Sequence, residues 1–201
     1  MKPLDPERLE QQMAFLREID QEKFVMRQTY LYDGSRKEND AEHAWHLALF
    51  VLVLSEYANE DIDVAHTVAM VLMHDLVEIY AGDTYAYDTS ANATQTAREQ
   101  EAADRLFALL PPDQEARFRA LFDEFEARET PESQFAHTVD NMQPTMLNHA
   151  SGGKSWEEHG VHFSQVIGRN QRSREGSEIL WEYMRHKFIE PHVESGELKP
   201  D

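Results

Sequence analysis

The sequence predicts an all-α fold, on three observations. Apolar residues recur at helical spacing along most of the chain. The breaks between these stretches are short and carry Gly, Pro, Asn or Asp. No two segments show the apolar-polar alternation of paired strands. The 201 residues hold no linker long enough to divide them, so one domain over 1–201 is expected, with no internal repeat.

Taken in order, Leu9, Met13, Leu16, Ile19 and Phe24 predict a helix over 6–26, with Arg27 at its end. Asp33-Gly34-Ser35 and Asn39-Asp40 predict a loop over 30–40. Ala44, Leu47, Ala48, Val51 and Leu52 mark a long apolar helix over 41–57. Asp63 is placed to cap a second apolar helix over 64–80, and Ala81-Gly82-Asp83 turns the chain out of it. Residues 86–96 are small and polar, and read as a mobile loop over a site. Helices over 94–110 and 113–127 follow, separated by Pro111-Pro112. Pro131 opens a helix to about 148, broken by Ser151-Gly152-Gly153. Two further helical stretches cover 155–169 and 173–194.

Composition narrows the function. A hydrophobic fraction of 41% is ordinary for a globular chain. The absence of cysteine excludes disulfides, thiolate metal sites and cysteine nucleophiles. A net charge of −19 argues against nucleic acid or an anionic membrane as partner, since both need a basic face. It leaves room for a small anionic substrate, because a metal ion and one or two arginines reverse the sign locally. The longest apolar run, Leu47 to Leu54, falls short of membrane-spanning length, and Met1 to Pro6 lacks the apolar stretch of a secretory signal. The expected location is cytoplasmic.

Both apolar helices carry histidine where the pattern asks for core. Ala41-Glu42-His43-Ala44 opens the first, and Leu72-Met73-His74-Asp75-Leu76-Val77-Glu78 closes the second. Adjacent residues splay by about 100° around a helix. His74 and Asp75 therefore converge on one ion only if it sits beside the helix, with His43 reaching it from the neighbouring helix. Asp140, in His137-Thr138-Val139-Asp140, is available as a fourth ligand. Two imidazoles and two carboxylates form a borderline-to-hard set that suits Mn²⁺, Co²⁺, Fe²⁺, Zn²⁺ or Mg²⁺, with positions left open for water and substrate. Glu78 follows His74 by four residues and Asp75 by three, on the same helix face. There it is placed to exchange a proton with a water or substrate group bound at the ion. His46, one turn after His43, and His137, one turn before Asp140, read as packing residues rather than ligands. Trp156 and His159-Gly160 border a pocket or dock the last helices.

This phrase of Ala-Glu-His, then His-Asp with a glutamate one turn on, then a later Asp, resembles the HD-domain superfamily. It is most similar to the branch of bacterial 5′-deoxynucleotidases and HD domain-containing protein 2, over about residues 10–190. The resemblance implies a helical HD domain, one divalent cation held by His43, His74, Asp75 and Asp140, and hydrolysis of a phosphate ester. It also implies a catalytic role for Glu78, substrate contact and organisation of the reaction by Asp83, a phosphate contact for Arg27, and a homodimer. The implied substrate is a small phosphorylated molecule, a (deoxy)nucleoside monophosphate above others. Gln28 stands where the resembling enzymes place a tryptophan against the sugar's 2′ side, and Asn141 where many relatives have lysine. The competing readings are a phosphohydrolase for a guanosine alarmone or a nucleoside triphosphate, and a metal-binding HD scaffold without catalysis. Glu78-Ile79 departs from the alarmone pattern, and retention of all the metal residues argues against the scaffold.

Overall fold

The computed structural model describes residues 5–87 and 89–201, with 89–93 described by backbone alone. The Asp5 carboxylate accepts from the Arg8 N–H and starts α1 (Pro6–Glu18), which tightens into a 3-10 turn over Ile19–Phe24. There the expected helix ends. The next residues form β1 (Met26–Tyr30), which pairs antiparallel with β2 (Lys37–Asn39), Met26 opposite Asn39 and Tyr30 opposite Lys37. Arg27 and Gln28 thus lie on a strand rather than at a helix end, and the expected 30–40 loop is half hairpin. The strands read Met-Arg-Gln-Thr-Tyr and Lys-Glu-Asn, too short and too polar to show alternation. Their register rests on the turn, closed at Gly34 (φ +67°), and on burial of Thr29 and Glu38.

The helices then follow with local causes in view. Asn39 and Glu42 cap each other reciprocally to begin α2 (Asp40–Leu54), which ends in a 3-10 turn, Ser55–Tyr57. The Asp63 side chain caps α3 (Val64–Met73). The expected single helix over 64–80 is broken: after His74 a 3-10 turn, Asp75–Val77, leads into α4 (Glu78–Ala81). Next come α5 (Thr89–Phe107), α6 (Pro112–Ala127) and α7 (Pro131–Ala150), the last capped by Thr130. The expected mobile loop over 86–96 is corrected, since helix begins at Thr89; residue 88 lies outside the described residues. The stretch 155–169 divides into α8 (Lys154–His159) and α9 (Phe163–Asn170) around Gly160. The stretch 173–194 divides into a 3-10 turn (Gln171–Glu175), α10 (Glu178–Met184), a π turn (Arg185–Ile189) and α11 (Pro191–Ser195).

Two apolar clusters build the interior. One gathers Leu47 and Val51 of α2, Met70 and Val71 of α3, and Phe135 and Val139 of α7. The other gathers Leu76 and Val77 with Leu106 and Phe107 of α5 and Phe122 of α6. His74 and Asp75 fall between Val71 and Leu76, where the chain crosses from one cluster to the other. The stretch Val64–Ala81 is 18 residues long with mean hydropathy 1.3, and so passes a length and composition test for a membrane span. That corrects the expectation that no run approaches such length. Here the stretch packs against α2, α6 and α7 and carries Asp75 and Glu78, as a core helix does. Several periodic positions face outward: Leu9, Met13 and Leu16 on α1, and Leu52 on α2.

The cap of α2 is a local feature with a separable energy. Asn39→Ala should lower unfolding stability by about 1 kcal/mol, the usual loss for an N-cap. Denaturant titration of both proteins measures it, and unchanged stability would show that packing alone fixes the start of α2.

Candidate metal centre and substrate cavity

Four side chains from three helical segments meet at one place. His43 is fully buried on the first turn of α2, and its Nε2 lies 3.1 Å from Asp140 Oδ1 on α7 and 3.8 Å from Asp75 Oδ2. His74 Nε2 lies 3.1 Å from Asp75 Oδ1 and 3.7 Å from Asp140 Oδ1. Ligand atoms of His43, His74 and Asp75 all fall within 4.8 Å of one another, and Asp140 adjoins them through both imidazoles. The turn after His74 makes this convergence possible. A 3-10 segment eclipses positions i and i+3. Asp75 and Glu78 therefore face the same cavity, rather than drifting apart around an ideal α-helix.

Second contacts fix the imidazoles. His74 Nδ1 donates to the Val71 carbonyl at 2.8 Å, which leaves the Nε2 lone pair aimed at the carboxylates. That Nε2 is buried and has no hydrogen bond of acceptable direction, although Asp75 is close. His43 Nδ1 donates to Gln143 Oε1 at 2.9 Å, and Gln143 Nε2 in turn donates to Glu38 Oε2 at 2.9 Å. Gln143 and Asp140 share a face of α7 at i, i+3 spacing, so one helix supplies both a prospective ligand and the group that orients another.

Lone pairs facing carboxylates at these distances are repulsive unless a proton or cation lies between them. Neighbouring donors around an ion with bonds of about 2.1 Å sit about 3 Å apart, so the set fits a divalent cation. In the metal-free chain, protons serve instead. Burial alone would lower the His74 imidazole, but Asp75 and Asp140 raise it well above its ordinary range. Burial would raise Asp75 and Asp140; the imidazoles, with Arg27 for Asp75, hold both well below the usual carboxylate range.

Glu78 is buried beside this cluster, and burial, followed by the charges of Asp75, Asp40 and Asp83, pushes its carboxyl well up. Asp83 is reached through Gly82, whose φ of +77° a residue with a side chain adopts at a penalty. Burial raises the Asp83 carboxyl against the pull of Arg27. The guanidinium of Arg27 is itself surrounded: Nη1 donates to Asp75 Oδ2 at 2.8 Å and to Asp40 Oδ1 at 3.2 Å, and Nε is 3.6 Å from Glu38 Oε1. Gln28 accepts from Lys37 Nζ at 2.5 Å across the hairpin.

These groups border a cavity of about 290 Å³. Arg27, Gln28, His74, Asp75, Glu78, Asp83 and Asp140 line it, and so do Tyr85, Tyr87 and Trp156. His159 packs its ring against Tyr85 behind this wall. His137 also borders the cavity, but its Nε2 bonds the Phe125 carbonyl, and burial together with Arg128 pushes it down to about 3. His46 stacks on Trp45 and meets Phe50 edge-on, and its Nδ1 lies 3.3 Å from Gln143 Nε2, so it touches the residue that orients His43 rather than the ligand cluster itself. The sequence reading missed Asp40, Glu38, Gln143 and two arginines, Arg128 and Arg169, which also line the cavity. None lies in a motif, and the contacts of Gln143 span about a hundred residues of chain.

Gln143→Leu removes the acceptor that holds the His43 ring. Metal affinity should fall about 10–100-fold, the usual effect of losing such an outer partner. A chelator-competition titration with Mn²⁺ or Zn²⁺ reads it, and an unchanged affinity would remove Gln143 from the centre.

Comparison with known proteins agrees with this arrangement. Residues 19–181 match the profile of the HD domain. The chain is 30% identical over 133 residues to the 5′-deoxynucleotidase HDDC2 of Bos taurus, and 28% identical over the same length to that of Homo sapiens. It spans about 63% of the length of these curated relatives, and the matches take in 65% of the chain itself. A crystal structure of a "predicted metal-dependent phosphohydrolase" from Magnetospirillum magnetotacticum superposes with a TM-score of 0.92 at 44% identity, covering 100% of both chains. A conserved hypothetical protein from Pyrococcus furiosus shares the fold alone, with a TM-score of 0.59 at 19% identity over 86% of this chain and 99% of the other. With the profile matching most of its length, and histidines and aspartates from three helical segments gathered at one point, the chain belongs to the HD domain family.

Proposed function

We propose that this chain is a metal-dependent phosphohydrolase that removes the 5′-phosphate from nucleoside monophosphates, deoxy forms included. The observation that carries the reading is the convergence of His43, His74, Asp75 and Asp140 beside an open cavity, with buried Glu78 one 3-10 turn from Asp75. Those four residues would hold one divalent cation, and Mn²⁺, Co²⁺, Fe²⁺, Zn²⁺ and Mg²⁺ all suit the donor set. Such an ion supplies Lewis acidity toward the phosphoryl group and makes water a better nucleophile near neutral pH.

The chain's own residues do the rest. Water attacks phosphorus, the bond to the 5′-oxygen breaks, and that oxygen needs a proton. Glu78, whose carboxyl is pushed up by burial and by its acidic neighbours, is the group placed to give it one. Asp83 faces the cavity from the far side of the Gly82 turn and orients the substrate. Arg27 steadies Asp75 and presents its remaining edge to the phosphoryl group. A cavity of about 290 Å³ is at the small end for ligand sites, which favours a monophosphate over a triphosphate or an alarmone. The names of the HDDC2 relatives support the same substrate class. The implied homodimer belongs to this reading, with the exposed Trp45, Leu49, Leu52 and Val53 of α2 as an apolar surface for the second copy.

A phosphate-release screen of nucleoside mono-, di- and triphosphates with each of these metals tests the proposal. Glu78→Gln should keep the cation, while turnover falls about 10²–10⁴-fold, the range for losing a general acid or base. Wild-type turnover in that variant with its metal in place would assign proton transfer elsewhere.

Sugar preference is set at residue 28 in this reading. Gln28 lines the cavity and is smaller than tryptophan, with a side-chain amide able to bond a 2′-hydroxyl. Ribonucleotides should therefore be accepted. Gln28→Trp should raise the ratio of kcat/KM for deoxy over ribo substrates, measured on matched monophosphate pairs. If the wild type rejects ribonucleotides and the ratio does not move, another wall is the gate.

A further inference from the structure

Three arginines line the cavity among the described residues, and no lysine does. Arg27 is committed to Asp75, Asp40 and Glu38. Arg128 and Arg169 differ from it: neither guanidinium has a hydrogen bond or ion pair to the described residues, in a chain with twice as many acidic as basic groups (38 Asp and Glu against 19 Lys and Arg). Other arginines of this chain find carboxylates, as Arg8 does with Asp113, Arg36 with Glu42 and Arg172 with Glu175, or aromatic rings, as Arg105 does with Tyr80 and Arg174 with Trp181.

The two lie close enough to act on each other. Arg128 is half-buried just past the end of α6, in the left-handed region at φ +55°. There burial acts on it first, then the charges of Asp140, Arg169, Arg172 and Glu126. Arg169, on α9, acts on Asp83 and Tyr87 across the same cavity. A non-glycine residue held at positive φ is uncommon and strained. The cavity's acids act on these two guanidiniums without hydrogen-bonding either, so their N–H donors are left for an anion that enters the cavity. A phosphate monoester is such an anion, with a charge of about −1.5 to −2 at neutral pH. A divalent cation at the cluster shares its charge with Asp75 and Asp140, and Arg27 with its three carboxylates. Neither has much left to offset a dianion.

Resting on the phosphomonoesterase reading above, we infer that Arg128 and Arg169 form a clamp for the terminal phosphoryl oxygens of the substrate, and so select phosphate monoesters over diesters. A monoester offers three non-bridging oxygens: two arginines hold the outer ones, and the remaining one faces the His43–His74–Asp75–Asp140 cluster. A diester has one oxygen fewer and about half the charge, so it leaves one arm of the clamp unfilled.

The test uses inorganic phosphate as probe, with the Mn²⁺-loaded full chain. Isothermal titration should show phosphate binding weakened about tenfold in Arg128→Gln and in Arg169→Gln, the loss of one charge-assisted contact each. Arg169→Lys should regain part of it as a point charge. Gln keeps the backbone strain of residue 128, and a melting curve accompanies each variant. If Arg128→Gln fails to fold, exposed Arg169 decides alone. In turnover, the ratio of kcat/KM for p-nitrophenyl phosphate over bis-p-nitrophenyl phosphate should fall in both variants, a change that a purely structural role would not produce. Phosphate bound equally well by the variants, or not bound by the wild type, overturns the clamp. The two failures separate cleanly. Monophosphate turnover with unchanged KM in the variants removes the clamp and leaves the phosphomonoesterase. Arginine-dependent phosphate binding in a protein that hydrolyses no ester keeps the clamp and removes the enzyme.

Discussion

Two imidazole nitrogens and the carboxylates of Asp75 and Asp140 crowd into a space only a few ångströms across, and such a group holds together only around positive charge. Much of the neighbouring structure follows from that constraint. The 3-10 turn at Asp75–Val77 exists where His74, Asp75 and Glu78 have to face one cavity, at the junction of the two apolar clusters. Gln143 and the Val71 carbonyl fix the rings so that lone pairs, not N–H groups, point inward. The hairpin brings Arg27 against Asp75 and Glu38 against Gln143. Pro144 cannot donate to the Asp140 carbonyl, so α7 lacks one helical bond at the residue that faces both histidines.

What was legible in the sequence divides along the range of the interactions. His43, His74-Asp75 and Asp140 stood out because residues of their type are out of place on the apolar faces of core helices. Their convergence is what the coordinates add. Caps were legible too, as Asp63 shows, since a cap acts within one turn. The hairpin was hidden, because Arg27, Gln28, Lys37 and Glu38 give it no apolar alternation; its strands are held by one another and by contacts to α7 and α8. The break after His74 was hidden for the opposite reason. The apolar period of 64–80 continues unbroken through it, so the pattern reports burial but not the change from α to 3-10 geometry. Residues 89–96 misled through their small polar composition, although alanine and glutamine are good helix formers and α5 begins there.

Net charge is a poor guide to the site. Acids such as Asp113, Glu42 and Glu175 pair with arginines at the surface, while the cavity brings carboxylates, imidazoles and guanidiniums together. Arg27 illustrates the difficulty. From sequence it resembles a free phosphate contact, yet burial among Asp75, Asp40 and Glu38 makes it first a counter-charge to the cluster. Arg128 carries no motif and sits at a left-handed helix end, yet what marks it out is a guanidinium with no hydrogen bond or ion pair to the described residues. The informative signal is a charge left unanswered, and it emerges only once every other charge has been placed.

The same logic links the site to stability. His43 and His74 on one side and Asp75 and Asp140 on the other come from segments that otherwise meet only through apolar packing. Asp75 and Asp140 push the His74 imidazole up, and burial with acidic neighbours pushes the Glu78 carboxyl up. A cation held by this set would need His74 as a neutral imidazole, so its binding would be coupled to proton release. Because the ligands come from α2, the turn after α3, and α7, the ion ties together elements that the unfolded chain keeps far apart. Its binding free energy is therefore added to that of the fold. The residues of the candidate centre would thus also cross-link the core, and a bound cation would offset the cost of burying so many acids together.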